Sequence, residues 1–264
     1  MVWLNALFVL AINAVPLYGA LVLGWSAITI VVLYWFESVL VAIATIIRIV
    51  VHRKLTLKSG HWRDGTLGGM SVNGKPVKTT LLREYATIAL VFTAAHGLFV
   101  LVIAFMATVN RPEPQWHFSF PEFRAGAISI ALFTLGDLAA DLTTLKQRSF
   151  AWISGYVQRK LGRVFVMHLT IIFGMFAMMQ FDSPMALLYV LIGLKFLMDL
   201  GGISGKVEVD PAPAEAPKWA LKFADRIAKD KGGAKAMAAD FARDAENARK
   251  RAIEDEKPLD GKPA

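Results

Sequence analysis

Apolar residues fall along this chain in long runs broken by short polar connections, with little of the alternation expected of strands. A helix needs about 20 mostly apolar residues to cross a hydrocarbon core of roughly 30 Å. Six stretches meet or approach that length: about 2–23, 25–50, 86–109, 123–145, 164–181 and 185–205. The pattern predicts an all-α fold, a polytopic membrane bundle of about six transmembrane helices with a helical C-terminal tail. The first run is interrupted by Asn13-Ala14-Val15-Pro16, and the proline removes a backbone donor, so a bent first span is expected. With no basic segment ahead of it and a second span close behind, a cleaved signal peptide is the weaker alternative.

After Gly205 the pattern changes. The expected organisation is a membrane domain over 1–205, a Pro/Ala linker over 206–217 and an amphipathic cytoplasmic tail over 218–264 whose end is disordered. In the tail, Trp219, Phe223 and Ile227 recur at four-residue spacing, flanked by Lys218, Lys222, Arg226 and Lys229, which suits a helix lying on an anionic leaflet. Gly232-Gly233 should break it, and a second helix is expected to about Glu256. Residues 218–256 are a candidate surface for a cytoplasmic protein partner. A solvated helix without a target is the plainer alternative.

Composition sharpens this picture. Apolar residues make up 55% of the 264 residues and charged ones 19%, richer and poorer respectively than an ordinary soluble domain. There is no cysteine, which removes disulfides, thiolate metal sites and Cys nucleophiles. The formal charge of +8 is unevenly placed: residues 48–85 carry eight Lys/Arg against two acids, 146–163 five against none, and the region from Lys206 thirteen against twelve. Charge gathered in two connections is a topology signal, and no nucleic-acid partner is expected from it. Placing both basic connections inside leaves a single Lys/Arg among the outer ones. Both termini are then cytoplasmic, in a bacterial inner membrane, with lipids as the constant partner. In the outer connection Trp116, Phe118, Phe120 and Phe123 form a candidate aromatic belt, and His117 reads as an exposed histidine without a role.

The connection after the second span contains SVNGKPV, which predicts a small hairpin turning at Asn73-Gly74. Its Gly-rich DGTLGGMSVNGK passage lacks the spacing of a phosphate loop, so no nucleotide is assigned.

Within the spans and away from their outer ends, the ionisable residues singled out are Glu37, His96, Asp137, Asp141, His168, Lys195 and Asp199. A charge at mid-bilayer costs about 2.5–3.5 kcal/mol or more, so each calls for a partner or a task. At about 1.5 Å per residue, Glu37 lies near 20 Å from the inner end of its span, His96 and Lys195 near 15, Asp137 near 12, Asp199 near 9, and Asp141 and His168 near 6. The file runs from mid-membrane to the cytoplasmic face. Ser26, Thr29, Tyr34, Glu37, Thr45 and Arg48 form one polar stripe; Thr134, Asp137, Asp141 and Thr144 form another.

Three chemistries can use such a file. Acids and histidines at graded depth can relay a proton or bind a cation, with all seven residues as the pathway. His96, Asp137, Asp141 and His168 can ligate a divalent transition metal, as in a membrane-embedded enzyme acting on a lipid-like substrate. The same groups can simply lock the bundle of a scaffold, Lys195 and Asp199 as an ion pair and His96 as a packing histidine. No Gly-x-Ser-x-Gly, His-Glu-x-x-His or Glu-x-x-His pattern signals an enzyme, and no inverted repeat signals a secondary transporter.

The spacing Asn13, Pro16, Gly24-Trp25 and Tyr34-Trp35-Phe36-Glu37, followed by His96-Gly97 with Phe99 and Arg163 with His168, resembles a family of bacterial multi-pass membrane proteins known as a domain of unknown function. The resemblance covers about residues 5–200 and leaves the tail outside. It implies that Glu37, His96 and His168 belong together, and brings no activity with it.

Overall fold

A computed structural model describes residues 11, 14–65, 67, 70–72, 75–77, 79–110, 117–181, 189–190, 192–194, 217–227 and 233–259. Of residues 70–72, 75–77, 106–108, 110, 163–172, 174–175, 177–179, 181, 219 and 227 only the backbone is described. The described chain is helical apart from one hairpin. Helix α1 spans Ala27–Thr56, α2 Leu81–Asn110, α3 Phe120–Leu142 and α4 Phe150–Phe181. In the tail, α5 spans Lys218–Ile227 and α6 Gly233–Glu256. Strands β1 (Met70–Val72) and β2 (Lys75–Val77) pair antiparallel with Val72 opposite Lys75, as expected of a hairpin; residues 73–74, where the turn was expected, lie outside the described residues.

Three helices are long and apolar enough to cross a membrane: Ala27–Thr56, Leu81–Phe105 and Phe120–Leu142, with hydropathies of 2.3, 2.5 and 1.5. Leu98, Leu101 and Phe105 on α2 and Leu132 and Leu135 on α3 point outward, each at least 60% exposed. An apolar band of that extent suits lipid and not water. By these features the chain is a membrane protein. Of the six expected spans, residues 14–21 are helical in the first, and the sixth is described only at 189–190 and 192–194, also helical.

Two boundaries differ from expectation. Helix α1 runs on to Thr56, because nothing in 51–56 breaks it until Leu57 turns left-handed (φ 49°) and its N–H returns to the Arg53 carbonyl. The basic stretch 146–163, expected to be a connection, is mostly helix: α4 starts at Phe150, where the Ser149 hydroxyl accepts the Trp152 N–H, and carries Arg159 and Lys160 onward. Lys and Arg are good helix formers, so charge marks a membrane boundary here without marking a helix boundary.

Helix α1 is central, packed along α3 and α2 and touched by α4. At the end where it begins, the Ser26 side chain caps the helix by accepting the Thr29 N–H. The Ser26 N–H donates to Glu122 (3.0 Å) and the Ser119 N–H donates to the Thr29 hydroxyl (2.9 Å), so the starts of α1 and α3 clasp each other. Beside them Phe118 and Phe120 are exposed, while Phe123 turns inward onto Phe36, ring centroids 5.6 Å apart. At the opposite end Ile49, Leu81, Tyr85, Phe150, Ile153 and Val157 form the main apolar core. Glu84 accepts from the Thr79 hydroxyl (2.6 Å) and the Leu67 N–H (2.7 Å), folding the connection back over the start of α2.

The tail ends docked against this second end. The Ser59 N–H donates to the Lys257 carbonyl (2.8 Å), the Leu259 N–H donates to the Leu57 carbonyl (2.9 Å), and Lys58 and Pro258 form an antiparallel bridge. Of the end of the tail, expected to be disordered, residues 260–264 lie outside the described residues.

Between α1 and α2, the Trp35 Nε1–H donates to the Thr93 carbonyl (3.0 Å), and the indole lies over Gly97. A Cβ at residue 97 would sit 2.8 Å from Trp35 Nε1 and 3.0 Å from Cε2. Gly97→Ala should therefore destabilise the purified protein by about 1–3 kcal/mol through overpacking. Gly162→Ala, with open space around it, should be neutral or stabilising. Thermal unfolding of both variants in detergent makes the comparison.

Candidate functional site: a buried arginine and two carboxylates

The polar stripe of α1 faces α3, and on α3 Asp137 and Asp141 are one turn apart, which puts both carboxylates on the face that meets α1. Arg48 bridges them. Its Nη2 lies 2.7 Å from Asp137 Oδ2 and its Nε 2.7 Å from Asp141 Oδ2. The three side chains are 1%, 19% and 5% exposed, so water contributes little to either charge pair. The Tyr156 ring on α4 lies between two cations, 5.2 Å from the Arg48 guanidinium carbon and 5.0 Å from Lys160 Nζ. Tyr156 is hydrogen-bonded to Thr45, whose hydroxyl also donates to the Val41 carbonyl (2.8 Å). Lys160 is near enough to act on Asp137. The cluster thus holds two carboxylates, one guanidinium and one ammonium at its border.

The expected site residues are distributed as follows. Asp137 and Asp141 are brought together. Glu37 is buried on α1, 1% exposed, eleven residues and so roughly 16 Å along the helix from Arg48. His96 on α2 is 8% exposed, and its ring Nδ1 is 2.7 Å from the Phe92 carbonyl, so Nδ1 carries the proton and Nε2 is basic. It lines a cavity of about 50 Å³ with Trp35, Ser38, Thr93 and Lys160. That is room for water. Lys160 therefore borders both the carboxylate cluster and the His96 cavity. His168 lies on α4 with its side chain outside the described residues; Lys195 and Asp199 lie outside them altogether. Among the described residues no three His, Asp or Glu side chains group as metal ligands.

A family model for a family of unknown function, DUF6498, matches residues 1–235. The chain belongs to the DUF6498 family. The match reaches further than the 5–200 expected from the motifs: it takes in α5 and stops at the start of α6. No curated protein and no solved structure matches the chain. Arg48, Asp137, Asp141, Tyr156, His96 and Glu37 all lie within the DUF6498 match, while the docked segment 254–259 lies beyond it.

Two parts of this end of the molecule were not anticipated. Arg48 was visible as a member of the α1 stripe, but its service to both aspartates depends on how α3 packs. The second part is a histidine pair. His52, one turn after Arg48, is 0% exposed and His61 is 1% exposed, with His52 Nδ1 2.6 Å from His61 Nε2. His52 Nε2 faces the Arg148 carbonyl at 3.2 Å and must donate to it. His52 Nδ1 is then an acceptor, and His61 Nε2–H the donor between the rings. His61 Nδ1 is left buried without a hydrogen-bond partner, against Phe150 at 5.1 Å between ring centroids. Burial, with His52, Arg53 and Lys58 adding to it, pushes His61 down to about 3. The signal available in sequence was that His52 shares the stripe of Arg48; the return of His61 in the 3-10 turn Ser59–Trp62 was not readable.

Two outcomes follow. Arg48→Met should destabilise the bundle by about 3–5 kcal/mol, because the buried Asp141 and the half-buried Asp137 lose this counterion, and adding Asp137→Asn with Asp141→Asn should recover most of it. Chemical denaturation in mixed micelles measures both. For His61, the unfolded chain takes up a proton below about 6.5 while the folded chain resists until about 3. Its contribution is present above pH 6.5 and is lost as pH falls toward 3. His61→Gln should reduce the acid slope of stability by up to roughly one proton, read from melting temperatures across that range.

Proposed function

We propose that this DUF6498 protein binds and moves a proton, or a small cation, through the polar core of its helix bundle. The observation that carries this is stoichiometric: in helices long and apolar enough to cross a membrane, the half-buried Asp137 and the buried Asp141 share one guanidinium. The second negative charge is open to balance by Lys160, by a proton or by a cation, and exchange among these is the proposed elementary step. Protonating Asp137, the more exposed acid, releases Arg48 Nη2 and leaves the guanidinium held by Asp141 through Nε. The basic Nε2 of His96 and the carboxyl of Glu37 supply further stations toward the middle of α1 and α2, with His168, Lys195 and Asp199 completing the file.

The topology that suits this activity has six spans in a bacterial inner membrane, both termini cytoplasmic and the Arg48 cluster toward the cytoplasm. It is supported by the excess of Lys/Arg in residues 48–85 and 146–163. The exposed apolar faces of α2 and α3 make membrane lipid its surrounding partner.

Reconstitution tests it. Proteoliposomes carrying a lumenal pH dye, with a potassium diffusion potential imposed by valinomycin, should acidify or alkalinise several-fold faster than empty vesicles. Asp137→Asn and Glu37→Gln should each reduce that flux at least tenfold. Flux equal to empty vesicles in the wild type, with sodium or potassium as the test cation as well, would reject transport and leave the cluster as a lock between helices.

A further inference from the structure

Going round helix α5 at about 100° per residue, three arcs follow one another. By register, Lys218, Lys222 and Arg226 occupy the first, Trp219, Phe223 and Ile227 the second, and Ala220 and Ala224 the third. Helix α5 packs on α6, and it is the alanine arc that is covered, with Ala220 and Ala224 only 7% and 8% exposed. The larger apolar arc is turned elsewhere: Phe223, at its centre, is 58% exposed. Lys218, Lys222 and Arg226 are exposed beside it. Burial stabilises roughly in proportion to apolar area, so a helix pair packed for water alone would cover the phenylalanine before the alanines.

The charges around this arc are unevenly placed. Residues 218–231 carry Lys218, Lys222, Arg226, Lys229 and Lys231 against Asp225 and Asp230. By register Asp225 lies on the side of α5 away from Phe223, and its carboxylate accepts the Ala234 N–H (3.1 Å) near the start of α6. Helix α6 itself holds five bases and six acids, among which Asp240 pairs with Arg243 (2.8 Å) and Glu246 with Lys250 (2.7 Å). Glu208, Asp210 and Glu215 precede α5 along the chain, so the cations of α5 are a local excess on one face of an otherwise balanced tail. Placement adds to this. Glu256 accepts the Ala151 N–H at the start of α4 (3.2 Å), and Ala252 and Ala248 line a cavity with Gly155 and Gln158. Traced back from Glu256, α6 therefore follows α4 in the direction of its apolar residues 164–181, and carries α5 at that end.

We propose that the arc of Trp219, Phe223 and Ile227 beds on an anionic bilayer surface, with Lys218, Lys222 and Arg226 directed to the lipid phosphates. The chemistry selects this occupant. Aromatic rings settle at the boundary of headgroups and acyl chains, and Lys and Arg lay their stems over apolar surface while carrying charge to the headgroups. Each Lys or Arg near an anionic surface gives about a fivefold preference over a neutral one, so three give roughly a hundredfold. The apolar helices already hold the chain in the bilayer, so the leaflet is presented to α5 at high effective concentration and modest contacts suffice. The tail is then fastened twice: by main-chain bonds at Lys58 and Pro258, which salt does not screen, and by charge at α5, which salt does. Helix α5 lies within the DUF6498 match and the docked segment 254–259 beyond it. The surface uses none of the Arg48 cluster, and stands or falls independently of transport.

The test uses the full-length protein in nanodiscs of phosphatidylcholine with or without phosphatidylglycerol, which present the same lipid on both faces and so make orientation immaterial. Hydrogen–deuterium exchange read by mass spectrometry follows the amides of residues 218–227. They should exchange at least fivefold more slowly with phosphatidylglycerol than without it, and salt at about 1 M should remove the difference. Phe223→Gln, and Lys218→Gln with Lys222→Gln and Arg226→Gln, change exposed side chains and leave the alanine arc intact. In detergent both variants should melt within about 2 °C of wild type. Each should lose most of the lipid-dependent slowing, while the lipid and salt comparison on the wild type stands without any variant. Equal exchange in the two discs overturns the proposal, as does slowing that either variant keeps at full strength. Slow exchange that persists in detergent, with a doubled mass by native mass spectrometry, means that a second copy covers the arc and overturns it as well.

Discussion

Arg48 is charged at any pH the protein meets, so an apolar helix that carries it has to be built around the anions it needs. Asp137 and Asp141 supply them from a single face of α3, and the guanidinium uses two of its edges, Nε and Nη2, to hold both at 2.7 Å. That geometry sets the rotation of α1 against α3. Turning either helix by one residue, about 100°, would carry the partner groups apart and leave charges in an apolar interior. The clasp at the other end of the same two helices, Ser26 with Glu122 and Thr29 with Ser119, sets their alignment along the axis. Between the two fastenings Gly126 admits Leu33, so the pair is close along its whole shared length.

Helices α2 and α4 are held to this pair differently. Helix α2 rests on α1 through an aromatic ring over a glycine, one indole hydrogen bond and apolar packing of Val100 and Ile103 against α1, while its far face is exposed from Leu90 to Val109. Helix α4 meets α1 at the loop end, where Tyr156 stacks against the cluster and Lys160 stands at its border. The cavity at His96, with a mostly apolar lining, opens where these two helices meet α1.

The helices that carry the site were legible because their signal is local. Long apolar runs gave α1, α2 and α3 within a few residues, and Asn73-Gly74 announced the hairpin. The motif Tyr34-Trp35-Phe36-Glu37 and the pair His96-Gly97 were read as belonging to one family, and Trp35 over Gly97 supplies a packing reason for part of that pattern. The partner of the two aspartates was harder. Arg48 lies 89 positions before Asp137, and a file read by depth alone ranks acids and histidines without showing which base sits between them. His52 and His61 were hidden for a related reason: their meeting depends on Leu57 leaving the helix in a left-handed turn, which no glycine or asparagine advertised.

Charge carries a further meaning at the loop end. The thirteen bases and twelve acids of the region from Lys206 nearly cancel in total, which conceals that three of the acids, Glu254, Asp255 and Glu256, are consecutive at the end of α6. They arrive at the most basic connection of the chain, and Asp255 and Glu256 meet Arg63 and Lys58 there. Pairs that are partly exposed, as these are, are screened beyond about 8 Å at physiological salt and contribute little on their own. The main-chain bridge of Lys58 with Pro258, with Ser59 and Leu259 donating on either side of it, is insensitive to that screening. The backbone bridge therefore holds the end of the tail against the bundle whatever the salt, in a segment beyond the family-matched part and apart from the Arg48 cluster inside it.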